Sequence, residues 1–338
     1  MISVLKPFSN FFANVSLVER TDFSGFAVLA VFLSFIGIFV QDATQLSLLT
    51  IGLVWLSVNK SWNLVLGYAG IFSFGQVAFF ASGAYVSGIL NYHLGISPYV
   101  TLLAAPFGGA TAALFIGFAA VKLRGVYVAL VTLAFHELLR TLISTDYSGL
   151  TGGPNGLQVA KFLPGASLLA QARVDYFVAV SIFFLTGGLV LKLLSSPFGL
   201  ALVATRDAEN VATARGVNRQ WYQLCALIIS GAIAGLAGGF YAHYVGVVAP
   251  TIISFALVMN LFAMIIVGGI GTFWGPIVGT VSVTLLTTYL QGTFPQHQSL
   301  IVASILVVMV LFLPTGLVGL TRSIVLRLGR ANDRQANE

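Results

Sequence analysis

Charged side chains are scarce in this 338-residue chain, since only 8% of its residues are Asp, Glu, Lys or Arg. A soluble protein has about 25% charged residues and needs them to cover its surface, so lipid must be the solvent of most of this chain. The scarcity excludes a cytoplasmic enzyme, a disulfide-stapled secreted domain and a disordered chain. Two runs, 61–121 and 220–321, hold no charged residue at all. At about 20 residues per helical span, these runs alone have room for about seven membrane crossings.

Residues for metal, nucleotide or acid–base chemistry are also lacking. The single cysteine, Cys225, permits no internal disulfide and no cysteine-based metal cluster. The sequence contains no Gly-x-x-x-x-Gly-Lys-Ser/Thr phosphate loop, no paired carboxylates and no histidines at metal-ligand spacing. The net charge of +6 is too small and too scattered for nucleic-acid binding. We therefore expect no catalysis, no metal and no cofactor in this chain, and any ATP that drives it must be bound by partner subunits.

Long apolar runs predict an all-α polytopic membrane protein with roughly eight to ten transmembrane helices. A β-barrel is disfavoured, because the runs are continuously apolar and do not alternate with period two. The segment 62–91 is long for one span and rich in glycine, so we expect a broken or re-entrant helix there. The expected spans lie near 24–41, 44–59, 62–91, 98–121, 125–144, 174–193, 221–247, 253–271, 274–291 and 299–319.

The few basic residues predict the orientation, because cytoplasmic loops carry the excess of Lys and Arg. The basic residues that fall on one side of the membrane are Lys60, Lys122, Arg124 and those within 192–219 and 322–334. Both termini are therefore expected in the cytoplasm, and the first apolar run, which lacks a small-residue cleavage site, is expected to stay as a span. The expected parts are an N-terminal cytoplasmic segment 1–23, a single transmembrane domain 24–320 and a basic tail 321–338.

The loop 195–220 is the most highly charged part of the chain, with five charged residues in 14 positions. Thr205 can serve as a helix N-cap, Asp207 and Glu209 then fall in a first turn that favours anions, and Gly216 can stop the helix. A polar helix of about ten residues along the cytoplasmic face follows from these signals. It is either a solvated loop that fixes orientation or a part that receives force from a separate ATPase. Its charged residues are Arg206, Asp207, Glu209, Arg215 and Arg219.

Ionisable groups cluster at one place inside a predicted span, at His136, Glu137 and Arg140. Charge at membrane depth is costly and marks function, yet Glu137 and Arg140 are three positions apart and can pair on one helical face. They are therefore either a structural ion pair or part of the substrate path or outer gate, and a single pair disfavours a proton relay. Three further polar residues are candidates for the path, or for bonds between helices: Asn63, Gln76 and Asn260.

Two rows of glycines at four-residue spacing predict smooth helical stripes where another helix can approach closely. Such a stripe serves static packing or a surface along which helices slide during transport. The first step of the second row falls in a predicted turn. The rows are Gly231, Gly235 and Gly239, and Gly271, Gly275 and Gly279.

The outer loop 145–173 contains the turn-forming string Thr-Gly-Gly-Pro-Asn-Gly at 151–156, where Gly and Asn can adopt positive φ. This string belongs to a series of short motifs that occur in order along the chain after about residue 60. The motifs are Asn63–Gly70, Phe74–Gln76, Ala78–Phe80, Leu123–Tyr127, Val131–Phe135, Leu150–Leu157, Glu209-x-x-Ala212-x-x-x-Gly216, Val267–Gly271 and Pro314–Leu317.

In this series the chain resembles the LivM-type permeases of bacterial ABC importers for branched-chain amino acids. It departs from them at His136, where the family more often has a small residue, and at Gln76, where histidine is common. The resemblance implies that Glu209, Ala212 and Gly216 belong to a coupling helix that contacts an ATPase subunit. It also implies the partners, which are a homologous LivH-like second permease, two cytoplasmic ATPases that bind ATP, and a periplasmic binding protein.

The resemblance further implies alternating access in the bacterial inner membrane, with ligand choice resting mostly with the binding protein. Because the same family includes permeases for urea and short-chain amides, that substrate class stays open beside branched-chain amino acids. Two other functions remain open from the residues themselves. An ion-coupled secondary carrier would be favoured by Glu137 and Arg140, whereas a membrane enzyme or scaffold is disfavoured by the lack of acidic or histidine-bearing sites.

Overall fold

A computed structural model describes the backbone of residues 6–293 and of short pieces at 300–301, 303–304 and 316–318, with side chains from residue 22 onward. The described chain is almost entirely helical, which confirms the all-α prediction. Its helices are α1 (Lys6–Phe39), α2 (Ala43–Asn63), α3 (Gln76–Leu94), α4 (Pro98–Ala120), α5 (Val126–Ser144), α6 (Leu168–Ser195), α7 (Pro197–Asp207), α8 (Glu209–Ala214), α9 (Arg219–Val245), α10 (Phe255–Gly268) and α11 (Gly275–Thr293). Two short strands, β1 (Leu157–Gln158) and β2 (Val247–Val248), pair antiparallel.

Six segments among the described helices are long and apolar enough to cross a membrane. They are Asp22–Phe39, Pro98–Ala120, Val126–Ser144, Leu168–Leu194, Arg219–Val245 and Pro250–Gly268. Helices α2, α3 and α11 have 21, 19 and 19 residues and carry more hydroxyl and amide side chains. The chain is therefore a multi-pass membrane protein, while the last expected span, 299–319, lies largely outside the described residues.

The described residues form two compact units, one that ends at Ile253 and one that begins at Ser254. In the first unit α9 lies at the centre and packs against α2, α3 and α4. The glycine row of α9 permits this close approach to α4. A Cβ added at Gly235 would lie 2.6 Å from the carbonyl oxygen of Ala105, and one added at Gly231 would lie 2.6 Å from that of Gly109. One added at Gly239 would overlap the Ala105 side chain.

The second unit contains α10 and α11, which pack against each other across a short connection. Gly279 of α11 lies against the backbone of Met264 and Gly268 in α10. A glycine on each helix therefore lets the two backbones come close together. The second glycine row does not form a continuous helical stripe. Gly271 has φ +74° and lies in the connection, and Gly275 is the first residue of α11. Gly268, which is outside the predicted row, takes the place opposite Gly279.

The expected break in the 62–91 segment is confirmed, and it lies between residues 64 and 75. Helix α2 continues into a π-helical turn (Leu64–Tyr68), and α3 begins only at Gln76. The placement of Lys60 in a loop between two spans was wrong. Lys60 lies inside α2 with 2% of its surface exposed, and its ammonium is 6.0 Å from the centre of the Phe26 ring. Helix α2 continues past Lys60 to Asn63, so a basic residue near the expected end of a span need not mark a loop.

Candidate functional site

The 195–220 loop folds as two short helices in place of the single predicted one. Helix α7 ends at Asp207, Ala208 breaks the helix with φ −145° and ψ 61°, and the six-residue α8 follows. The predicted N-cap at Thr205 was wrong, because its hydroxyl donates to the carbonyl of Leu202 inside α7. Asp207 therefore ends a helix and does not lie in a first turn. The sequence signal failed because Pro197 already begins a helix that runs through Thr205.

The end of α8 matches the sequence prediction. Gly216 has φ +88°, and Val217 donates its backbone N–H to the carbonyl of Ala212 at 3.1 Å. This bond together with the left-handed glycine closes the helix in the usual way. Ala212 faces inward and is buried, so α8 packs against the protein on one side.

Glu209 anchors α8 to two other parts of the same end of the protein. Its Oε1 accepts a hydrogen bond from Arg124 at 2.8 Å and a longer one from Arg219 at 3.5 Å. Arg219 also donates to the carbonyl of Leu123 at 3.4 Å. One carboxylate thus joins α8, the α4–α5 connection and the start of α9. Sequence reasoning missed Arg124 as a partner, since the two residues are 85 positions apart.

Arg206 connects the 195–220 loop to the 64–75 segment, which interrupts the helix between α2 and α3. Its guanidinium makes a bidentate pair with Asp207, at 2.7 Å from Nε to Oδ1 and 3.1 Å from Nη2 to Oδ2. Its Nη1 donates to the carbonyl of Gly67 in the π-helical turn. The loop and the 64–75 segment are therefore in direct contact.

The 64–75 segment is non-helical after Tyr68, and protein groups satisfy its backbone. The indole of Trp62 donates to the carbonyl of Ser73 at 2.8 Å, and the N–H of Phe74 donates to the Thr132 hydroxyl at 2.9 Å. Gln223 of α9 donates to the carbonyl of Ala69 at 3.4 Å. Irregular backbone within a bilayer is tolerated only when it is buried in protein or lines a wet cavity. These bonds show that this segment is held by protein.

Asn63 and Gln76 stand at the two ends of the interruption, and both are buried. The Gln76 amide donates to the Ser61 hydroxyl at 2.6 Å, and the Ser230 hydroxyl lies 3.1 Å from its Oε1. Ser230 also lies 2.7 Å from the Ser61 carbonyl. Gln76 therefore joins α2, α3 and the middle of α9. Asn260 is half-buried on α10, in the other unit.

Glu137 and Arg140 form an ion pair at 3.5 Å on the outer surface of α5, with side chains 46% and 50% exposed. The neighbouring residue His136 is fully buried. Neither ring nitrogen of His136 has a hydrogen-bond partner among the described residues, and its Nε2 is 3.8 Å from Glu137. The ion pair is separate from the Gln76 cluster and from the 195–220 loop.

The 145–173 loop has a fixed geometry. Asp146 accepts hydrogen bonds from the backbone and hydroxyl of both Ser148 and Thr151. These bonds, first among them the one from the Ser148 hydroxyl, hold the pKa of Asp146 well below its usual range. In the turn-forming string, Gly152 and Gly156 adopt φ +74° and +71°. Asn155 keeps a negative φ in a 3₁₀ turn, so only the glycines use the left-handed region.

His243 attaches this loop to the helices, a role that sequence reasoning missed. Its Nδ1 is 2.7 Å from the carbonyl of Ala160, and its Nε2 is 2.9 Å from the hydroxyls of both Ser87 and Thr101. A carbonyl only accepts, so Nδ1 carries the proton and Nε2 accepts from a hydroxyl. His243 is buried and joins α3, α4, α9 and the loop. This arrangement identifies His243 as a structural residue.

Comparison with known proteins identifies the family of the chain. The family described as the permease component of branched-chain amino acid transport systems matches residues 44–313. The high-affinity branched-chain amino acid transport system permease protein LivM of Escherichia coli is 29% identical over 88% of this chain and 76% of its own length. A probable branched-chain amino acid transport permease protein LivH of Methanocaldococcus jannaschii is 28% identical over 73% of this chain and 82% of its own length. No solved structure gives a significant match.

Proposed function

Because the chain belongs to the permease family of branched-chain amino acid transport systems, we propose that it is the membrane-spanning permease subunit of an ABC importer. Its cargo would be branched-chain and similar hydrophobic amino acids. The observation that carries the proposal is the similarity to LivM along nearly the whole chain. The chain would provide the path and would not itself be an enzyme.

Energy for this transport would come from two partner ATPases that bind ATP in the cytoplasm. The sequence has no phosphate-binding loop of its own. The 195–220 loop is suited to receive them, because α8 is short, closed at Gly216 and tied by Glu209 to Arg124 and Arg219. A force applied to α8 would therefore reach α4, α5 and α9.

A homologous LivH-like permease would be the second membrane subunit, since relatives named LivM and LivH both match this chain. The outer surface of α5 is suited to face it or the path between them. Glu137 and Arg140 are half-exposed there, and charged groups are costly when they face lipid at membrane depth. We propose that the substrate path or gate lies on this surface. The other candidate residues in this unit, Asn63 and Gln76, are buried inside the chain.

A periplasmic binding protein would dock on outer loops that include 145–173. The fixed geometry that Asp146, the glycines and His243 give this loop supports that role. The protein would lie in the bacterial inner membrane with both termini in the cytoplasm, as the distribution of Lys and Arg along the sequence suggests. The substrate could instead be urea or a short-chain amide, and a binding assay on the associated binding protein with leucine and with urea decides between them.

The assembly proposal is tested by copurification of the ATPases with this chain. We expect Glu209→Lys to release them, because the new cation would lie beside Arg124 and Arg219, and Gly216→Pro to do the same by disturbing the end of α8. Lys161→Glu, a charge reversal on the other long loop, is the control and should retain the ATPases. Retention of the ATPases and unchanged uptake in both test variants would show that α8 is not the coupling element.

A further inference from the structure

The contact between α7 and the 64–75 segment has two parts. The first is the hydrogen bond from Arg206 Nη1 to the carbonyl of Gly67. The last carbonyls of a helix have no partner within it, and here the partner comes from the 195–220 loop. Its Nε and Nη2 each donate to Asp207, so the guanidinium is held in place.

The second part is a steric contact at Gly70. This glycine has φ +67°, and a Cβ added to it would lie 2.7 Å from Cγ of Arg206. The aliphatic stem of Arg206 therefore rests directly on the Gly70 backbone. Because the hydrogen bond and the steric contact involve the same side chain, Arg206 fixes the position of α7 against the segment 67–70.

The interrupted segment connects this contact to buried polar groups. Asn63 lies immediately before the π-helical turn, and Gln76 lies at the start of α3. Gln76 is in turn bonded to Ser61, and Ser230 of α9 lies next to both. A displacement of the backbone at Gly67 would therefore act on Asn63 through the π-helical turn and on Gln76 through the 69–75 segment.

We propose that Arg206 is the positioning residue that transmits movement of the 195–220 loop to the 64–75 segment, and so to Asn63 and Gln76. The inference rests on the proposed function, because it requires that ATPases move this loop. Arg206 acts through the backbone that it holds and does not contact substrate. An arginine is needed since lysine cannot hold Asp207 bidentately and reach Gly67 at the same time.

The first test uses Arg206→Ala and Arg206→Lys in the complete importer in proteoliposomes. We expect the ATPases to stay bound and to hydrolyse ATP, while transport per ATP falls about tenfold in Arg206→Ala, the scale of one hydrogen bond to a charged group. Arg206→Lys should recover part of this loss. Lys122→Ala, which removes an exposed cation in the neighbouring connection, is the control and should keep the wild-type ratio. A wild-type ratio in Arg206→Ala would overturn the inference.

The second test approaches the contact from Gly70. Gly70→Ala should uncouple transport because the new methyl group displaces Arg206. Gly95→Ala is the matched control, since Gly95 has φ +64° but no neighbouring atom within 4 Å of an added Cβ. It carries the same type of backbone strain without the steric contact. Equal transport per ATP in these two variants would mean that the steric contact with Arg206 is not used, and would overturn the inference.

The third test replaces the contact by a covalent bond. A Cβ at Gly70 would lie 3.4 Å from Cβ of Arg206, close to the separation of about 3.5–4.5 Å found in disulfides. In a Cys225→Ser background, Gly70→Cys with Arg206→Cys should be uncoupled when reduced and should regain coupling when oxidised. Failure to cross-link, or an oxidised form as uncoupled as the reduced one, would overturn the inference. If the wild-type importer showed no ATP-driven uptake, the proposed function itself would be overturned.

Discussion

Glu209 of α8 accepts a hydrogen bond from Arg124, in the α4–α5 connection, at a distance of 2.8 Å. The pair joins the loop proposed to meet the ATPases to two membrane helices. Arg124 is largely exposed, so the pair itself contributes little to stability, on the order of 0.2–1 kcal/mol. The main effect of the Arg124–Glu209 pair is to fix the position of α8 relative to the α4–α5 connection.

A double-mutant cycle tests this contact. We expect Arg124→Ala and Glu209→Ala to be coupled by about 0.2–1 kcal/mol in the free energy of unfolding, with coupling that weakens as salt is added. Unfolding in detergent at low and high ionic strength provides the measurement. A coupling energy of zero at low salt would mean that the pair does not form.

Glu137→Gln should lower uptake, because it removes the partner of Arg140 on the exposed surface of α5. Uptake by the variant should remain ATP-driven and should not become dependent on a proton gradient. The measurement is substrate uptake with and without a protonophore at constant ATP. Wild-type uptake by Glu137→Gln would leave the ion pair with a purely structural role.

Gly235→Ala should destabilise the protein, since the added methyl would lie 2.6 Å from the Ala105 carbonyl oxygen in α4. Overpacking of this kind costs about 1–3 kcal/mol. Gly52→Ala in α2 is the matched control, because an added Cβ there meets no atom within 4 Å. It should be neutral or stabilising by up to about 1 kcal/mol through helix propensity. Thermal unfolding of both variants decides, and equal melting temperatures would contradict the packing assignment.

Asp146→Asn should reduce stimulation of ATP hydrolysis by the proposed binding protein, because the amide cannot accept all four hydrogen bonds that shape the 145–173 loop. The pKa of Asp146 is depressed in the folded protein, so its contribution is present above the unfolded pKa and is lost only as pH falls through the folded one. It is therefore complete at neutral and mildly acid pH.

The control is Asp42→Asn before α2, where the carboxylate accepts the N–H of Thr44 and an amide oxygen can do the same. Stimulation should be unchanged in this variant. Full stimulation in Asp146→Asn would mean that the loop does not need this carboxylate to engage the binding protein.

Several features of the fold could be predicted from local sequence. The apolar runs predicted the helices, the glycines of 62–91 predicted the break, and Gly216 was correctly placed as a helix stop. Each of these depends on residues close together in the chain. Thr205 shows the limit of local reasoning, because it has the character of an N-cap but lies within a helix begun by Pro197.

The partners of the candidate residues could not be predicted, since they come from distant parts of the chain. Arg206 meets Gly67 across 139 positions, and His243 meets Ala160 across 83. The glycine spacing in α9 predicted a stripe but not that α4 would lie on it. Charge alone also misplaced Lys60, whose ammonium is buried near an aromatic ring instead of lying in a loop.

The most direct test of the importer assignment is uptake of labelled leucine into proteoliposomes that contain this chain, the proposed second permease and the two proposed ATPases. With the binding protein outside and ATP inside, uptake should require both, and should continue when a protonophore removes the pH gradient. Uptake that proceeds without ATP and stops when the pH gradient is removed would contradict the account and would favour an ion-coupled carrier.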